Sequence, residues 1–158
     1  MRWNRAFTEV LDELGLESPD VGTTELSTPL AELLDKGFSM TEGTDCIFFS
    51  LFEIRCQGIS MEWLQDETGI ECYLNKLAVT DYLDEENPSL ETVLRQGTQF
   101  SFETSRRLVR EFPGVRFRII LALDGADATI RFHRHRTGQT WLDEDIDTYD
   151  EGIMIIDL

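Results

Sequence analysis

Several things are scarce in this 158-residue chain, and each scarcity excludes a class of protein. No segment reaches the roughly 18 apolar residues needed to span a bilayer, and "MRWNRAFTEVLDELG" lacks the uninterrupted apolar stretch of a signal peptide. Cytoplasm is therefore the expected compartment, with no membrane partner. Cysteine is rare and odd in number: Cys46, Cys56 and Cys72 form no C-x-x-C, so neither a disulfide framework nor a zinc site is indicated. The sequence has no G-x-S-x-G, no P-loop and no G-x-G-x-x-G, and its only two histidines sit together at His133 and His135. A Cys-His nucleophile would have to bring one of the distant cysteines to that pair, and nothing in the spacing does so. We expect a protein without catalytic residues and without a cofactor.

Basic residues are also few. There are 14 Lys+Arg against 31 Asp+Glu, a net charge of −17, which opposes direct binding of nucleic-acid phosphates or an anionic membrane and makes a basic protein the natural partner. The imbalance is uneven. Residues 1–97 hold 20 acids and 6 bases, whereas residues 98–158 hold 11 acids and 8 bases, so the first part of the chain makes most of the field.

What is present reads as one α+β domain over residues 1–158, long enough to bury one ordinary core. Trp3, Phe7, Val10, Leu11 and Leu14 form a helical stripe over residues 3–14, ended by Gly15. In "PLAELLDKG" Thr28 is placed to cap, Pro29 to open a helix and Gly37 to close it, with Leu30, Leu33 and Leu34 inward. Aromatic and β-branched runs between residues 38 and 79 read as three strands, "DCIFFSLFEIRCQG", "ISMEWLQDE" and "IECYLNKLAV". Met61 and Trp63 alternate onto one face of the second. A short helix is predicted from Pro88 to Gln96, stopped by Gly97, and a separate helix over "TQFSFETSRRLVREFPG" with Phe102, Leu108, Val109 and Phe112 as its apolar side.

"GVRFRIILALDGADATIRFHRHR" is a hairpin turning at Asp124-Gly125. Alternation places Val115, Phe117, Ile119, Leu121 and Leu123 on one face with Ala128, Ile130 and Phe132. The opposite face then carries Arg116, Arg118, Arg131, His133 and His135 at the surface. "GIMIIDL" suits a central strand buried on both sides. The expected fold is a mainly antiparallel sheet with helices packed on one face and the 115–136 hairpin beside the C-terminal strand.

The stretch "RFHRHRTGQTWLDEDIDTYDEG" sets bases directly against acids. His133-x-His135 puts two imidazoles on one strand face, as a metal would need, but the arginines around them oppose a cation, and the same cluster suits a phosphate or carboxylate. Asp143, Asp145 and Asp147 open like a calcium loop, yet Thr148 and Met154 stand where the motif needs Gly and Glu. The acids Asp143, Glu144, Asp145 and Asp147 either fold back over the Arg/His face as a salt-bridge lattice or face outward. In the second case Trp141 and Tyr149, with Asp143, Glu144, Asp145, Asp147 and Asp150, make a recognition surface for a basic partner. Asp81, Tyr82, Asp84, Glu85 and Glu86 form a second aromatic-plus-acid cluster.

In overall character, and in the tail "GQTWLDEDIDTYDEGIMIIDL", the chain resembles the small acidic immunity proteins that bacteria pair with toxins. The resemblance implies a cognate basic toxin domain, often a nuclease, whose active site is occluded. Two alternatives stand beside it: an enzyme or ligand-binding domain that uses the Arg/His face for an anionic small molecule, and an acidic DNA mimic.

Overall fold

In a computed structural model, residues 1–19, 24–41, 43–52 and 64–158 are described. The Met61/Trp63 alternation and Cys56 lie outside them. Strand β1, Arg2–Trp3, leads into helix α1, Arg5–Glu13, capped by the Asn4 side chain, which accepts from the Phe7 N–H. Trp3 is thus in a strand and not in the helix that its spacing suggests. Helix α2, Thr28–Asp35, begins one residue earlier than expected: Ser27 is the cap position, Thr28 is helical, and Leu30, Leu33 and Leu34 are buried.

Strands β2, Phe38–Met40, and β3, Ile47–Phe49, pair antiparallel as a small second sheet. The predicted strand "DCIFFSLFEIRCQG" is thus only three residues long where it is described, because the chain passes into a 3-10 turn at 50–52. "IECYLNKLAV" is corrected more deeply. It is helix α3, Glu67–Leu74, followed by the short strand β4, Leu77–Ala78. Asp66 accepts from Gly69 N–H and caps the helix, and helical spacing sets Glu71 and Asn75 one turn apart on one face, where a strand would hold them about 13 Å apart.

The two helices expected around Gly97 are one, α4, Leu90–Glu111. Gly97 does not stop it. A Cβ at that position would lie 3.0 Å from Leu121 Cδ1 and 3.4 Å from Val79 Cγ2, so the glycine lets the helix sit close on the sheet. Phe100 and Leu108 are buried on its inner side, while Val109 is exposed, contrary to the expected apolar face.

Strands β5, Phe117–Asp124, and β6, Asp127–Arg134, form the expected hairpin, with Ile119 opposite Phe132, Leu121 opposite Ile130 and Leu123 opposite Ala128. Gly125 takes the positive φ of 60° that the turn requires. Strand β7, Gly152–Asp157, pairs with β5 and with β1, giving the antiparallel order β1-β7-β5-β6-β4. It is interior and buried on both sides, but β5 holds the middle.

One face of this sheet is covered by helices. Phe117, Ile119, Leu121, Ile130, Phe132, Met154 and Ile156 pack there with Phe7, Leu11, Leu30, Leu33, Val93, Phe100 and Leu108. Each such side chain contributes about 1.5–3 kcal/mol on leaving water, so this face supplies most of the folding energy. The other face is half apolar: Ile120, Ile153 and Ile155 lie under Ile146, Leu142 and Tyr149 of the 137–151 segment. No helix among the described residues is long and apolar enough to cross a membrane.

Candidate functional site

The half-apolar face continues into Arg118, His133 and Arg131, and the chain after β6 is folded across it. The segment is firmly held. Asn4 Nδ2 donates to the Ile146 carbonyl at 3.1 Å and to the Glu151 carbonyl at 2.9 Å, while its Oδ1 accepts from Ile153 N–H at 2.8 Å. Asp145 caps a short 3-10 turn, Ile146–Thr148, that drives Ile146 into the face. Asp147 Oδ1 accepts from Arg5 N–H at 2.7 Å, and the Tyr149 hydroxyl accepts from Asp143 N–H at 3.0 Å. Tyr149 is therefore a half-buried strap within the segment.

The two halves of the Arg/His and Asp/Glu stretch do not neutralise each other. Among the described residues, no ion pair joins Asp143, Glu144, Asp145 or Asp147 to the basic face. The acids that meet it come from elsewhere. Arg118 pairs with Asp157 through Nε–Oδ1 at 2.6 Å and Nη2–Oδ2 at 3.2 Å, and His135 Nε2 lies 3.1 Å from the same carboxylate. Burial alone would raise the Asp157 pKa, but the hydrogen bonds and charges of Arg118 and His135 outweigh it and hold the pKa low.

Arg136 reaches Glu71 at 2.6 Å and Asp45 at 2.8 Å; its hydrogen bond holds the Asp45 carboxyl below the ordinary carboxylate value. Burial works against the Arg136 charge, and the two carboxylates overcome that, so its pKa is raised. Arg134 pairs with Asp45 as well.

Glu71 is fully buried and fully bonded. Its Oε1 accepts from Ile47 N–H at 2.8 Å and its Oε2 from Arg134 N–H at 2.7 Å. One turn on, Asn75 accepts from Phe49 N–H and donates to the carbonyls of Ile47 and Phe132. Two side chains of α3 thus stitch the β3 edge to the β6 edge, satisfying backbone groups that would otherwise be orphaned.

His133 is a correction. It was expected at the surface and is only 2% exposed. Its Nδ1 lies 2.8 Å from the Arg134 carbonyl, which can only accept, so Nδ1 carries the proton and Nε2 is a bare acceptor. Burial lowers the pKa to about 4, aided by Arg118, so the ring is neutral at pH 7. Nε2 has no hydrogen-bond partner among the described residues. His133 also lines a cleft of about 430 Å³, together with Arg2, Arg118, His135, Arg136 and Glu144, among others.

The remaining predicted residues divide. Arg131 is half-buried with its guanidinium 5.6 Å from the Trp141 ring centre, and Arg116 is exposed; neither lines the cleft. Asp143, Glu144 and Asp150 are exposed with no side-chain hydrogen bond or ion pair among the described residues, next to Trp141 at 40% exposure. In the second cluster Asp81, Asp84, Glu85 and Glu86 are exposed, but Tyr82 packs against the helix-covered core. Among the described residues, no group of three or more His, Cys, Asp or Glu side chains is arranged to hold a metal. Asp145 and Asp147, read as possible calcium ligands, are bonded to backbone N–H groups instead. Sequence reasoning missed Arg2, Arg136, Glu71 and Asn4. Only the i, i+4 spacing of Glu71 and Asn75 carried a signal, that of a helix face.

The fold and this face define an acidic α+β protein with an antiparallel sheet, helices on one side and a charged, loop-covered surface on the other. The chain belongs to the uncharacterized protein PM0498 family, whose family model matches residues 4–158. No curated protein and no solved structure matches it.

Proposed function

We propose that this is a binding protein that inhibits a basic partner, in the manner of an immunity protein covering the active site of a cognate toxin. The observation that supports it most is the state of the acids on the 141–150 segment. Asp143, Glu144 and Asp150 carry charge on a backbone already ordered by Asn4, Asp145 and Tyr149, and none of the three is paired with a base among the described residues. Preorganised, unpaired carboxylates lose little entropy on meeting Lys and Arg, and a net charge of −17 speeds the encounter. Trp141, exposed at the start of the segment, is the candidate anchor. Tyr82 and Tyr149 fit that role less well, being packed inward.

The test is a capture experiment with tagged protein, at low and moderate salt, from a lysate of the organism that encodes the chain. The variant to compare is Asp143→Lys with Glu144→Lys and Asp150→Lys, which spares the structural carboxylates of Asp145 and Asp147. The proposal expects a basic protein retained by the native chain and released by the triple variant. A partner retained equally by both would place recognition elsewhere.

A further inference from the structure

The cleft beside the acidic segment has a chemistry of its own. Three guanidiniums, Arg2, Arg118 and Arg136, line it, and each has nitrogens left over. Arg118 uses Nε and Nη2 on Asp157, Arg136 uses Nη1 and Nη2 on Glu71 and Asp45, and Arg2 spends Nη1 on the Glu144 carbonyl at 3.3 Å. Arg118 Nη1, Arg136 Nε and Arg2 Nη2 have no partner among the described residues. Of the acceptor-bearing side chains that line the cleft with them, His133 is the buried one, 2% exposed, and its Nε2 has no partner among the described residues. A buried acceptor left unsatisfied costs about 1–3 kcal/mol, so an anion held against His133 is favoured when it brings a donor.

We propose that this cleft binds inorganic hydrogen phosphate, whose charged oxygens meet the Arg2, Arg118 and Arg136 guanidiniums while its P–OH donates to His133 Nε2. Both kinds of group are needed. A metal cation is opposed by the three arginines, and a carboxylate or sulfate at neutral pH brings acceptors only, which the lone pair on Nε2 repels. Glu144, which also lines the cleft, repels either dianion alike, so the discrimination between them rests on the P–OH donor. The site differs from the hairpin-face anion site read in the sequence: Arg131 is taken by Trp141, Arg116 stands apart, and Arg2 and Arg136 replace them. The cleft shares Glu144 with the partner-binding surface but uses neither Asp143 nor Asp150, and its test varies only Arg2 and His133, so the two proposals can fail separately.

The experiment titrates the full chain at neutral pH with inorganic phosphate, and separately with sulfate at matched ionic strength. The readouts are the imidazole nitrogen resonances and the thermal midpoint. Phosphate is expected to move the His133 Nε2 resonance saturably and to raise the midpoint, with sulfate about tenfold weaker, the discrimination that a single hydrogen bond of ~1.4 kcal/mol gives. Arg2→Ala, which loses only an exposed bond to a carbonyl, should weaken phosphate while leaving the unliganded midpoint in place. His133→Phe, similar in shape, should abolish the preference for phosphate over sulfate. Equal responses to the two anions, no saturable shift at His133, or unchanged phosphate binding in Arg2→Ala and His133→Phe would each overturn the assignment.

Discussion

The two faces of the central sheet are built on different terms. The helix-covered face is closed by apolar side chains from α1, α2 and α4, and its tight approaches, at Gly97 against Leu121 and at Gly152 against Phe7, are matters of shape. The loop-covered face begins the same way, with Ile120, Ile153 and Ile155 under Ile146, but gives way within one strand length to Arg118, His133 and Arg131. There the closure is a segment pinned by hydrogen bonds from Asn4, Arg5 and Tyr149. Function can sit on the second of these: the helix-covered face buries no charged side chain in its apolar cluster, whereas the polar face holds charges that folding itself does not consume.

The comparison breaks most severely at the stitch between the sheets. Glu71→Ala would leave Arg136 without its buried partner and strand the Ile47 and Arg134 N–H groups, so a loss of about 3–5 kcal/mol is expected from urea denaturation.

Acid should weaken the polar face before the apolar one. The His133 pKa in the folded chain, about 4, lies below its ordinary 6.5, so between those values the unfolded chain binds the extra proton. Stability is therefore full above pH 6.5 and falls toward pH 4, by up to about 3 kcal/mol. Asp157, whose pKa is lowered from 3.8, stabilises above that value and loses its contribution only below it. Urea midpoints from pH 7 to 4 should fall in the native chain and stay flatter in His133→Phe.

On the helix-covered face, Gly97→Leu should cost about 1–3 kcal/mol by overpacking against Leu121 and Val79, with no change in the pH profile. The smallest effect belongs to the exposed acids. Asp143→Lys, Glu144→Lys and Asp150→Lys should each change stability by no more than about 0.5 kcal/mol, because folding does not use them.

The α+β architecture and the hairpin register were legible because strict alternation over eight-residue strands admits one pairing. Residues 67–74 misled because apolar and β-prone residues dominate a helix whose identity rests on the Asp66 cap and on two buried polar side chains. Gly97 misled because a glycine that admits a close neighbour reads the same as one that ends a helix. The acidic segment was visible as composition, but its lack of pairing was not, since Asp157, Asp45 and Glu71 reach the basic face from distant parts of the chain. Arg2 entered the cleft from the first strand, a proximity that only the β1–β7 pairing creates.

On the proposed function, the loop-covered face presents acids to a basic partner. The most direct measurement is the association rate of a captured partner with the native chain and with the Asp143/Glu144/Asp150 triple lysine variant, across ionic strength. The account predicts an on-rate that falls steeply with salt for the native chain and is both slower and flatter for the variant. Parallel salt dependences with equal rates would contradict it.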